Sequence, residues 1–108
     1  MVENIIKRRY LIINRKFEEL EIITKYIMEQ YCICKLRNFN WEDEELVKLI
    51  DNGLRQLREN DFELMVREFL NCENKYWWKE KYSKSTFYRH KRLAMNSFID
   101  CLLVGNVI

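Results

Sequence analysis

The chain has almost none of the residues that mark tight turns. It contains no proline and only two glycines, Gly53 and Gly105. No alternating run of β-branched residues is bounded by turn signals, so strands and hairpins are not predicted. The apolar residues instead follow helical spacing, and we predict an all-α fold without internal repeats or a long linker.

Histidine is equally scarce, since His90 is the only one in 108 residues. The four cysteines, Cys32, Cys34, Cys72 and Cys101, include no CxxC pair, so a zinc site is poorly supported. Reduced, mostly buried thiols are favoured over disulfides. The sequence also lacks a glycine-rich phosphate loop and a nucleophile elbow. We therefore expect no enzyme activity, no cofactor and no metal.

Long apolar runs are missing as well. No apolar stretch approaches the roughly 18 residues that suggest a membrane span. The first residues, MVENIIKRRYLII, contain an apolar patch that charges interrupt. A secretory signal is therefore not expected, and the chain is predicted to be cytoplasmic with no membrane partner.

What the chain does contain is enough apolar material for a folded core. Hydrophobic residues make up 48% of the sequence and aromatic residues 14%, which excludes a disordered chain. A chain of this size buries roughly two-thirds of its unfolded surface. We predict one domain, or one domain with a helical extension. The tryptophans Trp41, Trp77 and Trp78 are expected in the core rather than on a surface that stacks single-stranded bases.

Charge is distributed unevenly along the chain. Residues 1–74 carry 12 basic and 15 acidic side chains, whereas residues 75–92 carry seven basic side chains and one acidic one. A cationic block on a slightly acidic body indicates a directed contact with a polyanion. Charge alone does not separate DNA from RNA or from an anionic membrane. A solvated basic face that binds nothing is the other interpretation of this block.

A long first helix is predicted over about residues 3–36, within a segment 1–38 that precedes a helical domain over 39–108. Its apolar seam has 4-3-4-3 spacing, which is typical of heptad repeats. The seam consists of Ile6, Tyr10, Ile13, Phe17, Leu20, Thr24, Ile27, Tyr31 and Cys34. Two interpretations stay open: the helix covers the helices that follow it, or it forms a coiled-coil homodimer.

The remaining elements are predicted from breaks and caps. Residues 38–40 break the first helix, and Asn40 is placed to cap the second. Asn60 with Glu63 suggests a capping box that starts a third helix. A short fourth helix is expected around residues 76–78, followed by a turn at 81–83. The last helix is then predicted to run from Ser83, its N-cap, to about Leu103.

The last helix has two distinct faces. The apolar face consists of Phe87, Ala94, Phe98 and Cys101, spaced 7, 4 and 3. The opposite face presents Lys84, Ser85, Tyr88, Arg89 and Arg92. Long donors on the first turns of such a helix can reach base edges in a major groove. Lys79 and Lys81, next to the turn, are placed for phosphate contacts.

The segment YSKSTFYRHKRLAMNSF, residues 82–98, resembles the recognition helix of sigma-factor region-four domains. It is similar also to the C-terminal helix-turn-helix of ArpU-type phage transcriptional regulators and related small mollicute proteins. Upstream, LRENDFELMVREFL resembles the helix that precedes this motif. The resemblance implies a helix-turn-helix at about residues 75–103. It also implies contacts to bases or backbone from Lys84, Ser85, Tyr88 and Arg89.

We therefore predict a DNA-binding transcriptional regulator whose partner is double-stranded DNA. Phosphate contacts are assigned to Lys79, Lys81 and Arg92. Two competing functions follow from the same features. A module that binds RNA polymerase or another protein would use the long helix as its docking surface. An RNA-binding protein would use the aromatic and basic block on single strands.

Overall fold

The computed structural model describes residues 16–37, 40–71 and 74–107, with side chains up to residue 103. Four α-helices form: α1 (Phe17–Arg37), α2 (Trp41–Arg55), α3 (Glu59–Met65) and α4 (Lys84–Val107). A π-helical turn, Val66–Leu70, continues α3. Because these ranges contain no strand, the all-α prediction is confirmed. None of the helices in the described ranges is long and apolar enough to cross a membrane.

The described part of the heptad seam packs inside the chain. Leu20, Thr24, Tyr31 and Cys34 are buried, and α1 contacts α2, α4 and the π-helical turn. The described residues thus follow the interpretation in which the first helix covers those after it. The predicted start of that helix, with the seam residues Ile6, Tyr10 and Ile13, lies outside the described residues. The homodimer stays a prediction.

The corner between α1 and α2 is fixed by a cap and an ion pair. The Asn40 side chain accepts a hydrogen bond from the Asp43 amide at 2.9 Å, so its predicted role as an N-cap is confirmed. Arg37 Nη2 and Nε donate to the two carboxylate oxygens of the buried Asp43 at 2.8 and 3.2 Å. Trp41, at the first position of α2, is 70% exposed. The prediction that it lies in the core is wrong: Trp41 and the neighbouring Glu42 and Glu44 face solvent, and Asp43 is the residue of this turn that is buried.

The start of α3 also differs from its prediction. The helix begins at Glu59, with Arg58 as an N-cap that makes no side-chain cap hydrogen bond. Asn60 is therefore a helical residue and not the cap. Downstream, the helix widens into the π-helical turn, whose end is marked by the hydrogen bond from the Asn71 amide to the Val66 carbonyl at 2.8 Å.

Residues 75–81, the tryptophan segment, form overlapping turns rather than the predicted short helix. Amides at 77, 79 and 81 donate to carbonyls three residues earlier. Neighbouring residues on an α-helix do not face the same partner. Trp77 and Trp78, however, both contact Phe87, with ring centroids 5.7 and 4.6 Å away. The short helix predicted here is therefore not formed, and the helix-turn-helix at 75–103 is not confirmed.

Helix α4 is the centre of the core. Phe87, Ala94 and Phe98 are almost completely buried, as their spacing predicts, while Cys101 is half-buried. Helix α2 approaches α4 closely at Gly53, where an added Cβ would lie 2.8 Å from Leu102 Cδ2. A larger residue at position 53 would have to displace the Leu102 side chain.

Three of the four cysteines belong to the described residues, and all three are free thiols. Cys34 is buried, whereas Cys32 and Cys101 are half-buried. Burial raises the pKa of the Cys34 thiol, and the nearby Asp43 carboxylate raises it further. The prediction of reduced thiols is confirmed for these three cysteines. The raised pKa of Cys34 favours its protonated form, which is the unreactive one.

Candidate nucleic-acid interface

The first turn of α4 is held by its cap. Ser83 Oγ accepts a hydrogen bond from the Thr86 amide at 3.3 Å and donates one to Thr86 Oγ1 at 2.9 Å. The Ser83 carbonyl accepts from the Phe87 amide at 2.9 Å. The predicted N-cap is therefore confirmed, and α4 begins at Lys84. This cap fixes the residue at which α4 begins, and with it the positions of the cationic side chains on the first turns.

An aromatic cluster holds the same end of α4 against the protein. The Trp78 ring stacks on Phe87 with an interplanar angle of 6°. Trp78 is buried and Trp77 half-buried, so the sequence-based placement of these two tryptophans is confirmed. Tyr88 packs edge-on against Phe17 of α1 and Trp78, at 5.4 and 6.2 Å. The side of α4 that bears Phe87 is thus anchored, and the opposite side is presented to solvent.

All seven residues predicted from the sequence to contact DNA are exposed. Five of them lie on the first three turns of α4, at positions that share one side of a helix. These five, Lys84, Ser85, Tyr88, Arg89 and Arg92, are referred to below as the basic face. Lys79 and Lys81 come from the tryptophan segment.

The basic face ends abruptly along α4. Residues seven apart lie two turns apart on the same side of a helix. Tyr88 is 39% exposed, whereas Met95, seven residues later, is completely buried. Arg92 is exposed, and Ile99 is buried. The side that faces solvent in the first turns therefore becomes core in the later ones.

The cations of this region differ in how they are engaged. Lys84 and Arg89 have no ion-pair partner within the described part of the chain. Lys81 Nζ lies 3.2 Å from Glu63 Oε1 of α3, and Lys79 Nζ lies 4.3 Å from the Tyr76 ring centroid. Of the described residues, Lys84 and Arg89 are therefore cations that a polyanion could meet without breaking an ion pair.

One cation of the basic segment, Lys91, is buried. Lys91 is only 3% exposed, and its Nζ donates to Glu21 Oε2 of α1 and Glu68 Oε2 of the π-helical turn, both at 2.5 Å. We call Lys91 and its two half-buried partners, Glu21 and Glu68, the buried triad. The sequence holds a signal for this burial. Lys91 fills the seven-residue gap between Phe87 and Ala94, which completes a 4-3 spacing on the apolar face.

Acidic residues border the basic face on the α1 side. Glu18 and Glu21 line a shallow depression together with Phe17, Arg89 and Arg92. Burial alone would raise the pKa of the Glu21 carboxyl, but the hydrogen bond and charge of Lys91 outweigh it and lower this pKa. Glu21 therefore stays ionised, with its charge paired to Lys91 and Lys25. The sequence-based prediction did not include this acidic border, which comes from a distant helix.

Comparison with protein families, curated proteins and solved structures finds no match to this chain. The resemblance to sigma region-four domains and ArpU-type regulators therefore stays a prediction from residues 82–98. Function has to be argued from the basic face itself.

Proposed function

We propose that this protein binds double-stranded DNA through the basic face and acts as a transcriptional regulator. The observation that carries the proposal is the arrangement of α4. Its capped first turns expose Lys84, Ser85 and Arg89, while the rest of the helix is fixed in the core. An exposed helix start with long donors is the form in which many regulators enter a major groove.

The role of each residue of the basic face follows from the length of its side chain and from the contacts it already makes within the protein. Arg89 can form two hydrogen bonds to one guanine edge, and Lys84 and Ser85 lie one turn closer to the helix start. Tyr88 is partly covered by aromatic rings, so only its exposed portion is available for a base or the backbone. Lys79 and Arg92 are assigned to phosphates. Lys81 has the same role but must exchange Glu63 for a phosphate, so its contribution is expected to be smaller.

The experiment is selection of bound duplexes from a random pool at two salt concentrations, followed by affinity measurements on the selected sequence. Affinity should fall linearly with the logarithm of salt, with a slope set by the number of phosphate contacts. Arg89→Ala should cost about 1–3 kcal/mol of base discrimination at one position. Arg55→Ala, an exposed arginine on α2, is the matched control and should leave discrimination unchanged. An Arg89→Ala protein that selects the same sequence as its parent rules out the assigned role.

A second candidate function is docking on RNA polymerase or another protein. The outward side of α1 carries an exposed apolar row, Ile22, Tyr26, Ile33 and Leu36. Leu36 is 89% exposed, and exposed apolar rows of this kind are frequent at protein interfaces. Recovery of polymerase by the parent, loss of that recovery in Tyr26→Glu, and no duplex affinity would favour this function. Stronger binding to single-stranded RNA than to duplex DNA at equal salt would favour RNA as the partner.

A further inference from the structure

The buried triad joins three separate elements at one ammonium group. Glu21 comes from α1, Glu68 from the π-helical turn, and Lys91 from the cationic half of α4. The Lys91 ammonium also lies 5.5 Å from the Phe17 ring centroid and 5.4 Å from that of Phe69. These contacts surround the ammonium with two carboxylates and two aromatic rings. A buried ammonium group is stable only next to groups that compensate its charge.

The triad extends to the tryptophan segment through Glu68. The second carboxylate oxygen of Glu68, Oε1, accepts a hydrogen bond from Trp77 Nε1 at 3.1 Å. The Arg67 guanidinium lies over the Trp77 ring, 4.5 Å from its centroid. One carboxylate thus positions both Lys91 and the segment that carries Lys79 and Lys81. π-helical turns often place single side chains in this way.

The ion pairs of Lys91 add a directional constraint to the apolar anchors of the first turns of α4. Phe87 and Ala94 hold these turns in the core by packing, whereas a hydrogen-bonded ion pair also fixes a direction. Lys91 lies two residues after Arg89 and one before Arg92. Any rotation of α4 that keeps Lys91 between its two carboxylates is small, so the direction of both arginines is fixed with it.

We propose that Lys91 is a positioning residue, which sets the rotation of the basic face through Glu21 and Glu68 and does not itself contact DNA. This inference rests on the proposed function, because it assigns Lys91 a part in sequence discrimination. It removes one cation from the phosphate-binding set and makes two acids on other elements part of the recognition apparatus. The triad is expected to affect base discrimination and to leave the salt dependence of binding unchanged.

The test is the triple variant Lys91→Met/Glu21→Gln/Glu68→Gln, which removes the three charges together and leaves none unpaired in the interior. Its matched control is Lys48→Met/Glu44→Gln/Glu45→Gln, with the same change of charge on the exposed side of α2. Discrimination between the selected duplex and a scrambled one should drop about tenfold or more in the triad variant, the value of one base contact. The slope of affinity against salt should match that of the parent. The control should retain full discrimination.

A second measurement needs no DNA. Amide hydrogen exchange should become about tenfold faster at residues 84–92 of the triad variant and stay unchanged at 94–103. The Trp77 indole NMR signal should shift. Unchanged exchange at 84–92 together with full discrimination would overturn the proposal.

Two further outcomes are decisive. If the triple variant loses its helical circular dichroism, Glu68→Gln alone is used. It keeps the Lys91–Glu21 pair, and it should still shift the Trp77 indole signal and weaken discrimination; unchanged discrimination there would overturn the proposal. If the parent itself does not discriminate between duplexes, the proposed function fails. Faster exchange at 84–92 would then still assign Lys91 the positioning of α4, without a role in DNA recognition.

Discussion

The two halves of α4 present opposite chemistry on the same helix. From Lys84 to Arg92 the helix exposes cations, and its single buried charge, Lys91, is paired with acids from two other elements. From Ala94 to Leu103 every side contacts or borders the core, with Met95 and Phe98 completely buried. The first half is therefore held by charge, capping and aromatic rings at its base, and the second half by apolar packing.

This difference separates recognition from stability along one element. A rigid, packed second half holds a helix whose first turns remain free to meet a ligand. Substitutions in the second half are expected to unfold the protein, and substitutions on the basic face to change what it binds. The predictions below test that separation, from the largest expected effect to the smallest.

Phe98→Ala and Arg89→Ala form the sharpest pair. Phe98→Ala should lower the free energy of unfolding by about 3–5 kcal/mol, because it opens a cavity in a completely buried site. Arg89→Ala should change it by no more than about 0.5 kcal/mol, since the side chain is exposed. Urea unfolding followed by circular dichroism measures both. A similar loss in the two variants would show that the halves do not differ as described.

Ser83→Ala tests how the cationic half is held at its start. Removal of the hydroxyl leaves the Thr86 amide without its acceptor, and the free energy of unfolding should fall by about 1 kcal/mol. Ser83→Asp is the matched variant, because its carboxylate also accepts from that amide, and it should retain most of the stability. Thermal unfolding of the three proteins checks this. Equal melting temperatures for Ser83→Ala and the parent would mean that the cap contributes nothing.

Acid should weaken the charged attachment before it affects the apolar one. The pKa of Glu21 is lowered in the folded protein, so the unfolded chain binds its proton more readily and stability falls with pH. The loss should begin as pH drops below the ordinary carboxyl value of 4.5 and continue through the lowered one. The charged groups around Glu21 are the cations Lys25, Lys91, Arg89 and Arg92 and the carboxylates of Glu18 and Glu68. Glu21→Gln should make the free energy of unfolding less dependent on pH in this range. If its pH dependence is as steep as that of the parent, Glu21 is not the cause.

Local sequence rules correctly predicted two helix caps and the buried face of α4. Asn40 and Ser83 cap their helices as expected, because capping depends on residues only three positions apart. The apolar face of α4 is buried as its spacing requires. The exposure of the five predicted contact residues on α4 follows from the same periodicity, although their binding to DNA remains a prediction.

The differences arise where distant segments meet. The tryptophan segment forms turns instead of a helix, and the rings of Trp77 and Trp78 both pack against Phe87, which follows them in the chain. Lys91 is buried because Glu21 and Glu68, from two other elements, supply its counter-charges. Periodicity placed Lys91 on the apolar face, but no local rule identifies its partners. Trp41 is exposed at the first position of α2, and whether that position faces the core depends on how α2 packs, which composition does not define.

The most direct test of the central claim is a titration of isotope-labelled protein with the selected duplex, followed by amide NMR. If the basic face binds DNA, the largest changes in amide chemical shift should fall on residues 83–92, with smaller changes on 75–81 and little change on α1. Changes concentrated on the outward side of α1, around Tyr26 and Ile33, or no change anywhere at saturating duplex, would contradict it.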